Sequence, residues 1–377
     1  MNRLLSYKNK WYIGVIIVGV LILSLLSWAS FAKWVNFEAE SYNDAGNSNL
    51  ITYALNKLDS AIDKIDSVWS VYKKDKFSKI DNRVTYYCIG EISSVQVLQG
   101  NNKWLFYKSK SDGDPIADYE GTNCFTQEEL QSMAKVALST QNKIESEEIN
   151  FALIVAPNKE NIYAEYMPDN YNHSDQSRTD ILIQYLQNYG VNVASPKNEL
   201  LENHTQSQVY YSYDTHWNQL GAYIGVKDAL AIWDINLPEL SDRAITSGHL
   251  KENYHYCGED DLARMVDLLS AFNDEIEYTV DDTILMDWES YEEEQNSGQV
   301  SYFKNPNADN KGVVFLVGDS FRSSMIPSLR EEFTDVYVVH RSYYDPSMLN
   351  EIKPDYLLVE YVERYSNKIK QIDELIR

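Results

Sequence analysis

The chain has 377 residues, enough for one large domain or two ordinary ones, and its 44% apolar content can fill a sizeable core, so disorder throughout is excluded. Lys and Arg total 33 against 57 Asp and Glu, a net charge of −24 that repels polyanions at long range and sets nucleic acid aside as a partner. The cysteines Cys88, Cys124 and Cys257 form no C-x-x-C pair, allow one disulfide at most and are too few for a zinc cluster.

In chain order, residues 1–10 carry Arg3, Lys8 and Lys10, and Trp11 to Ala32 then runs for about 22 residues without a charge, enough for a helix to cross a hydrocarbon layer. The basic flank places the N-terminus in the cytoplasm and everything after about Trp34 outside it. Ser30-Phe31-Ala32 can be read as a signal-peptide cleavage site, but the apolar run exceeds the roughly 7–15 residues of a secretory h-region, so an uncleaved single-pass anchor at 11–32 is expected. A linker and an amphipathic helix follow within 33–83, the helix marked by Leu55, Leu58, Ile62, Ile65, Trp69 and Tyr72.

The extracytoplasmic domain is expected over 84–377. Thr85 to Val97 and Trp104 to Lys108 have strand-like composition, and Thr126 caps a helix to Leu138. Phe151 to Ala156 reads as a buried parallel strand, and Arg178 to Tyr189 as a helix ended by Gly190. Val191 to Ala194 is the next strand, Trp217 to Trp233 a helix, and Gly312 to Val317, Val336 to Val339 and Tyr356 to Val359 three more strands. Strands alternating with helices predict an α/β fold with a doubly wound, mostly parallel sheet. Residues 235–310 interrupt this rhythm as an irregular acidic insertion. It holds about ten acidic residues and no basic one between Asp274 and Glu294, the pattern of a solvated face or loop, with an insertion beside the active site as the alternative. The 29 tyrosines supply flat, polar-edged surface of the kind that lines a sugar groove, although core and surface roles account for most of them.

Two constellations carry chemistry. Gly318-Asp319-Ser320-Phe321 follows a buried strand and precedes a helix expected near Ser323. Ser320 is thereby placed at the carboxyl edge of the sheet, with its amide near a helix start, while Asp319 is suited to fix the loop. Asp214-Thr215-His216-Trp217-Asn218 precedes a helix, and residues two apart in an extended segment project together, so Asp214 can reach His216 Nδ1 and leave Nε2 to take a proton. Such a histidine is what a serine hydroxyl needs for activation at neutral pH. A capping serine and a helix-capping Asp are the plainer readings of each motif alone. Asp319, Arg341, Lys159, Asn158 and Trp217 are further candidates for oxyanion or substrate contact, each with a structural role as its alternative, and Arg322 is expected to face away from the site. The other histidines lack metal-ligand spacing, so neither metal nor cofactor is expected.

With these residues in hand, D-T-H-W-N at Asp214–Asn218 and G-D-S-F at Gly318–Phe321 resemble the signature motifs of the SGNH-hydrolase-like domain of the alginate O-acetyltransferases AlgX and AlgJ and related cell-surface polysaccharide acetylation proteins. Lys103-Trp104-Leu105-Phe106-Tyr107, Pro157-Asn158-Lys159 with Tyr163, Pro354-Asp355-Tyr356 and Glu363-Arg364 resemble lesser family elements. Asp261-Leu262-Ala263 resembles its G-D-L-A segment, with Asp260 where glycine is expected. The resemblance spans roughly 86–370. It implies a flavodoxin-like SGNH fold, Asp214, His216 and Ser320 as a triad, and acetyl transfer to a polysaccharide hydroxyl through an acetyl-serine. It also implies a multipass membrane-bound O-acyltransferase that passes acetyl groups outward. A polysaccharide acetylesterase and a non-catalytic binding or assembly subunit of an envelope polysaccharide machine are the alternatives.

Overall fold

A computed structural model of the protein describes residues 76–249, 260–280, 293–295 and 300–377. The expected anchor at 11–32, the amphipathic stretch ending at Tyr72 and Cys257 lie outside these residues, and among the described residues no helix is long and apolar enough to cross a membrane. The chain divides into two compact units, Met1–Ser93 and Ser94–Arg377.

In the first unit, α1 (Lys76–Ile89) ends at Gly90, whose φ of +88° lets its N–H turn back to Tyr86 O at 2.8 Å. Thr85 to Ile89 is therefore helix rather than the strand its β-branched and aromatic content suggests. Composition of that kind becomes a strand only where an edge is available for pairing, and the glycine stop is the local signal that prevails.

The second unit opens with a short antiparallel pair, β1 (Val97–Gln99) and β2 (Leu105–Tyr107). Next, α2 (Gln127–Glu145) starts with a reciprocal cap in which Thr126 Oγ1 accepts from Glu129 N and Glu129 Oε2 accepts from Thr126 N. Then follow β3 (Asn150–Ala156), α3 (Arg178–Asn188), β4 (Val193–Ala194) and α4 (Gln219–Ala231). Within 235–310 lie the antiparallel pair β5 (Ile245–His249) and β6 (Ile276–Val280), with α5 (Asp261–Met265) between them, and then β7 (Glu293–Gln295) and β8 (Val300–Lys304). The chain closes with β9 (Asn310–Gly318), α6 (Ile326–Glu332), β10 (Phe333–His340) and β11 (Tyr356–Val362).

The main sheet runs in the order β4-β3-β11-β9-β10-β8-β7, with the first five strands parallel and β8 and β7 antiparallel at one edge. The two-residue side-chain period sorts the strands onto two cores. Ala152, Ile154, Leu316 and Leu358 pack beneath α4, whereas Phe151, Leu153, Phe315, Val317 and Val359 pack beneath α2, α3 and the helical C-terminal stretch Glu363–Ile376. Apolar residues on both faces explain why β3 and β9 read as continuous hydrophobic runs.

Helix α4 approaches its surroundings through glycine. A Cβ on Gly221 would stand 2.1 Å from the Val209 carbonyl oxygen, and one on Gly225 2.9 Å from the Trp217 ring. Gly221→Ala is therefore expected to destabilise the protein by about 1–3 kcal/mol in urea unfolding, because backbone must move. Gly248→Ala, where a Cβ meets nothing within 4 Å, is the control, and equal midpoints for the two variants would contradict this packing.

Candidate active site

At the carboxyl end of β9 the strand stops pairing and its amides need other partners. Asp319 N donates to Glu360 Oε2 at 2.8 Å, while the Asp319 carboxylate accepts from Phe321 N at 3.0 Å and Val362 N at 2.9 Å. This buried carboxylate ties the turn to β11 and leaves the next residue, Ser320, exposed at the head of a helical turn over Ser320–Met325. The amide of Ser320 makes no hydrogen bond among the described residues.

The segment before α4 is held from beneath. Lys159, only 2% exposed, spends its three ammonium protons on the carbonyls of Tyr211, Ser212 and Asp214 at 3.1, 3.2 and 2.7 Å. Glu275 accepts from Tyr213 N at 2.8 Å and Asp261 from Thr215 N at 2.8 Å, and Glu277 accepts from Gln219 N at 3.1 Å and from the Tyr211 hydroxyl. Asn218 caps α4 through Gly221 N at 3.0 Å. Trp217 links the two loops: its Nε1–H donates to Phe321 O at 2.9 Å and its ring stands edge-on to Phe321.

These constraints bring Asp214, His216 and Ser320 into line. His216 Nδ1 lies 2.5 Å from Asp214 Oδ1, and His216 Nε2 lies 2.6 Å from Ser320 Oγ. The Asp214 carboxylate also accepts from His216 N at 3.0 Å and, through Oδ2, from Asp261 N at 2.9 Å. Burial alone would raise the Asp214 carboxyl, but the His216 ring and these donors outweigh it and bring it to about 2. Ionised Asp214 holds the proton on Nδ1 and leaves the Nε2 lone pair toward the serine hydroxyl. For His216, burial disfavours the charged ring, yet Asp214 prevails and its pKa is raised. The relay runs outward from the buried Asp214 through a His216 side chain 13% exposed to the exposed Ser320.

The other sequence candidates sit elsewhere. Lys159 has no proton left for an oxyanion. Asn158 is buried between Asp118 and the Arg364 amide, with its own N–H on Glu363. Asp319 and Trp217 brace loops, and the Arg322 Nη1 donates to Asp319 O at 2.6 Å. Arg341 N donates to Gly318 O at 2.8 Å because β9 and β10 are neighbours, but its guanidinium stacks on Tyr361 and Tyr365. Glu275 and Glu277 escaped notice inside an acid-rich stretch, and Asp261, read only as part of a family-like segment, was given no role in the site. Arg364, noted only as part of a family-like E-R pair, has its guanidinium over the Tyr107 and Phe321 rings, close enough for its charge to oppose protonation of His216. Asp260, where the resembled family has glycine, adopts φ +50°, the left-handed conformation that glycine tolerates best.

Donor atoms of Asp214, His216 and Asp261 lie within 4.8 Å of one another. The 2.5 Å Nδ1···Oδ1 contact is nevertheless a hydrogen bond, well short of the roughly 3.3 Å that separates two ligands of one tetrahedral ion.

Residues 97–339 match the family described as "SGNH hydrolase-like domain, acetyltransferase AlgX". No curated protein matches the chain. Among solved structures, a DHHW family protein from Eubacterium siraeum is similar at 16% identity, over 75% of this chain and 99% of that one, with a TM-score of 0.48. Bacillus cereus PatB1 with a sulfonyl adduct is similar at 14% identity over 72% and 95%, TM-score 0.49. The O-acetyltransferase domain of Pseudomonas putida AlgJ is similar at 14% over 73% and 99%, TM-score 0.43.

Burial raises the carboxyls of Asp118, Glu160, Asp260 and Glu277 to about 7. Below about 4 both the folded and unfolded states hold these protons, and between about 4 and about 7 only the folded state does, so stability falls as pH rises through that window. The thermal midpoint is expected to be higher at pH 5 than at pH 8 in high salt, and Glu277→Gln is expected to reduce that difference. A difference unchanged by the substitution would show that Glu277 does not titrate in this window.

Proposed function

Because the chain belongs to the family of the SGNH hydrolase-like domain of acetyltransferase AlgX, we propose that it is a membrane-anchored O-acetyltransferase acting on hydroxyls of an extracellular or cell-wall polysaccharide through an acetyl-Ser320 intermediate. The hydrogen-bonded relay from Asp214 through His216 to Ser320 carries this reading. A non-catalytic assembly subunit needs no such alignment, and 2.6 Å between Nε2 and Oγ is within general-base reach.

In the first half-reaction Ser320 Oγ attacks the carbonyl carbon of an acetyl ester while its proton passes to His216 Nε2, and Asp214 stabilises the imidazolium that forms. The negative charge that develops on the carbonyl oxygen is met by the Ser320 amide at the head of the Ser320–Met325 turn. His216 then returns the proton to the leaving alcohol as the C–O bond breaks. In the second half-reaction a sugar hydroxyl gives its proton to Nε2 and attacks the acetyl-serine, and His216 returns that proton to Ser320 Oγ as the acyl C–O bond to the serine breaks. Ser320 is exposed, so water can replace the sugar, and slow hydrolysis is expected when no acceptor is present.

The uncharged run 11–32 would hold the enzyme at the outer face of a membrane, away from cytoplasmic acetyl donors. A multipass membrane-bound O-acyltransferase as partner would supply the acetyl group from inside.

The full-length chain, incubated with an activated acetyl ester, is expected to release a burst of leaving group and gain one acetyl mass on Ser320, with neither in Ser320→Ala. No burst and no adduct from a folded protein, with or without the membrane partner, would refute the acyl-enzyme. Asp214→Asn should cut turnover by about 10³–10⁴-fold by losing the correct tautomer. Because His216 must be neutral to act as base and its pKa is raised, the wild-type rate should climb with pH through a midpoint above 6.5, and a midpoint below that value would contradict the Asp214–His216 coupling.

A further inference from the structure

On the face of the sheet opposite α4, a cavity of about 160 Å³ opens beside the ends of β9 and β11. Its buried part is formed by Val317, Val359 and Glu360, and Arg341 and Lys368 line it toward solvent.

Two observations single it out. The Arg341 guanidinium is clamped over the rings of Tyr361 and Tyr365 at 5.4 and 4.6 Å, yet it pairs with no carboxylate among the described residues and its buried Nη1 has no hydrogen-bond partner. Lys368 Nζ lies 4.4 Å over the same Tyr365 ring, also without an ion pair, and Arg364 lies 5.2 Å from that ring, so three cations surround one aromatic side chain. In a chain with 24 excess negative charges, a guanidinium whose buried Nη1 has no partner is costly unless an anion joins it.

We propose that this cavity binds a carboxylate group, gripped by the Arg341 guanidinium and the Lys368 ammonium. A planar carboxylate matches the guanidinium fork. Val317, Val359 and Leu375 leave apolar wall for a methyl or ring carbon, and Glu374 near Lys368 disfavours a dianion such as phosphate. The site is separate from acyl transfer, since none of its ligands touches Ser320 or His216.

The test is isothermal titration of the full-length protein with sodium acetate and with sodium glucuronate, at ionic strength held constant with chloride. Saturable binding of acetate alone supports a small free acid as the occupant, and binding of glucuronate as well supports a sugar-borne carboxylate. Arg341→Gln should weaken either by about tenfold or more, and Lys368→Gln, at an exposed position, should weaken it in the same direction. Ser320→Ala should bind like the wild type even if the acyl-enzyme reading fails. Equal heats with chloride, retention of affinity in both cation variants, or tighter binding of phosphate than acetate would each overturn the proposal.

Discussion

Buried carboxylates that accept backbone N–H groups are the interaction on which the site depends. Where the parallel strands end, their amides lose their ladder partners, and the loops beyond cannot reach water because they are covered. Glu360 takes the Asp319 amide, Asp319 those of Phe321 and Val362, and Glu363 that of Asn158. In the histidine loop Glu275, Asp261, Asp214 and Glu277 take those of Tyr213, Thr215, His216 and Gln219 in turn. The acid excess of the composition is thus partly structural, each side chain replacing a missing strand.

Lys159 works in the reverse sense, tying three carbonyls of one loop to the end of β3. Asp214 belongs to the same set of clamps and differs by also facing an imidazole, which makes it the one carboxyl of the loop held well below its usual range. Positioning and chemistry are therefore served by one kind of contact, and Trp217 locks the two loops together across the site.

Much of this was legible in the chain. Phe151–Ala156 and Gly312–Val317 are buried strands because both faces are apolar, and Asp214-x-His216 and Gly-Asp-Ser320 announce themselves by local spacing. Family membership follows from the same motifs. Glu275 and Glu277 were hidden because a run of acids normally means solvent, and Asp261 was legible only as part of a motif; only the fold of β6 and α5 against the histidine loop turns these acids inward. Lys159 and Asn158 emerge at the expected sheet edge, but which loop atoms consume their protons depends on segments some 50 and 200 residues distant. Thr85–Ile89 shows the opposite error, strand-forming residues without an edge to join.

Carboxyls that bury themselves neutral make the formal charge of −24 an overstatement for the folded chain at neutral pH. Unfolding exposes them and releases their protons to the buffer. The heat of unfolding measured near pH 7 will therefore include the buffer's own heat of protonation, differing between phosphate and Tris in proportion to the protons expelled, so calorimetry in two buffers counts how many clamps the native state keeps protonated.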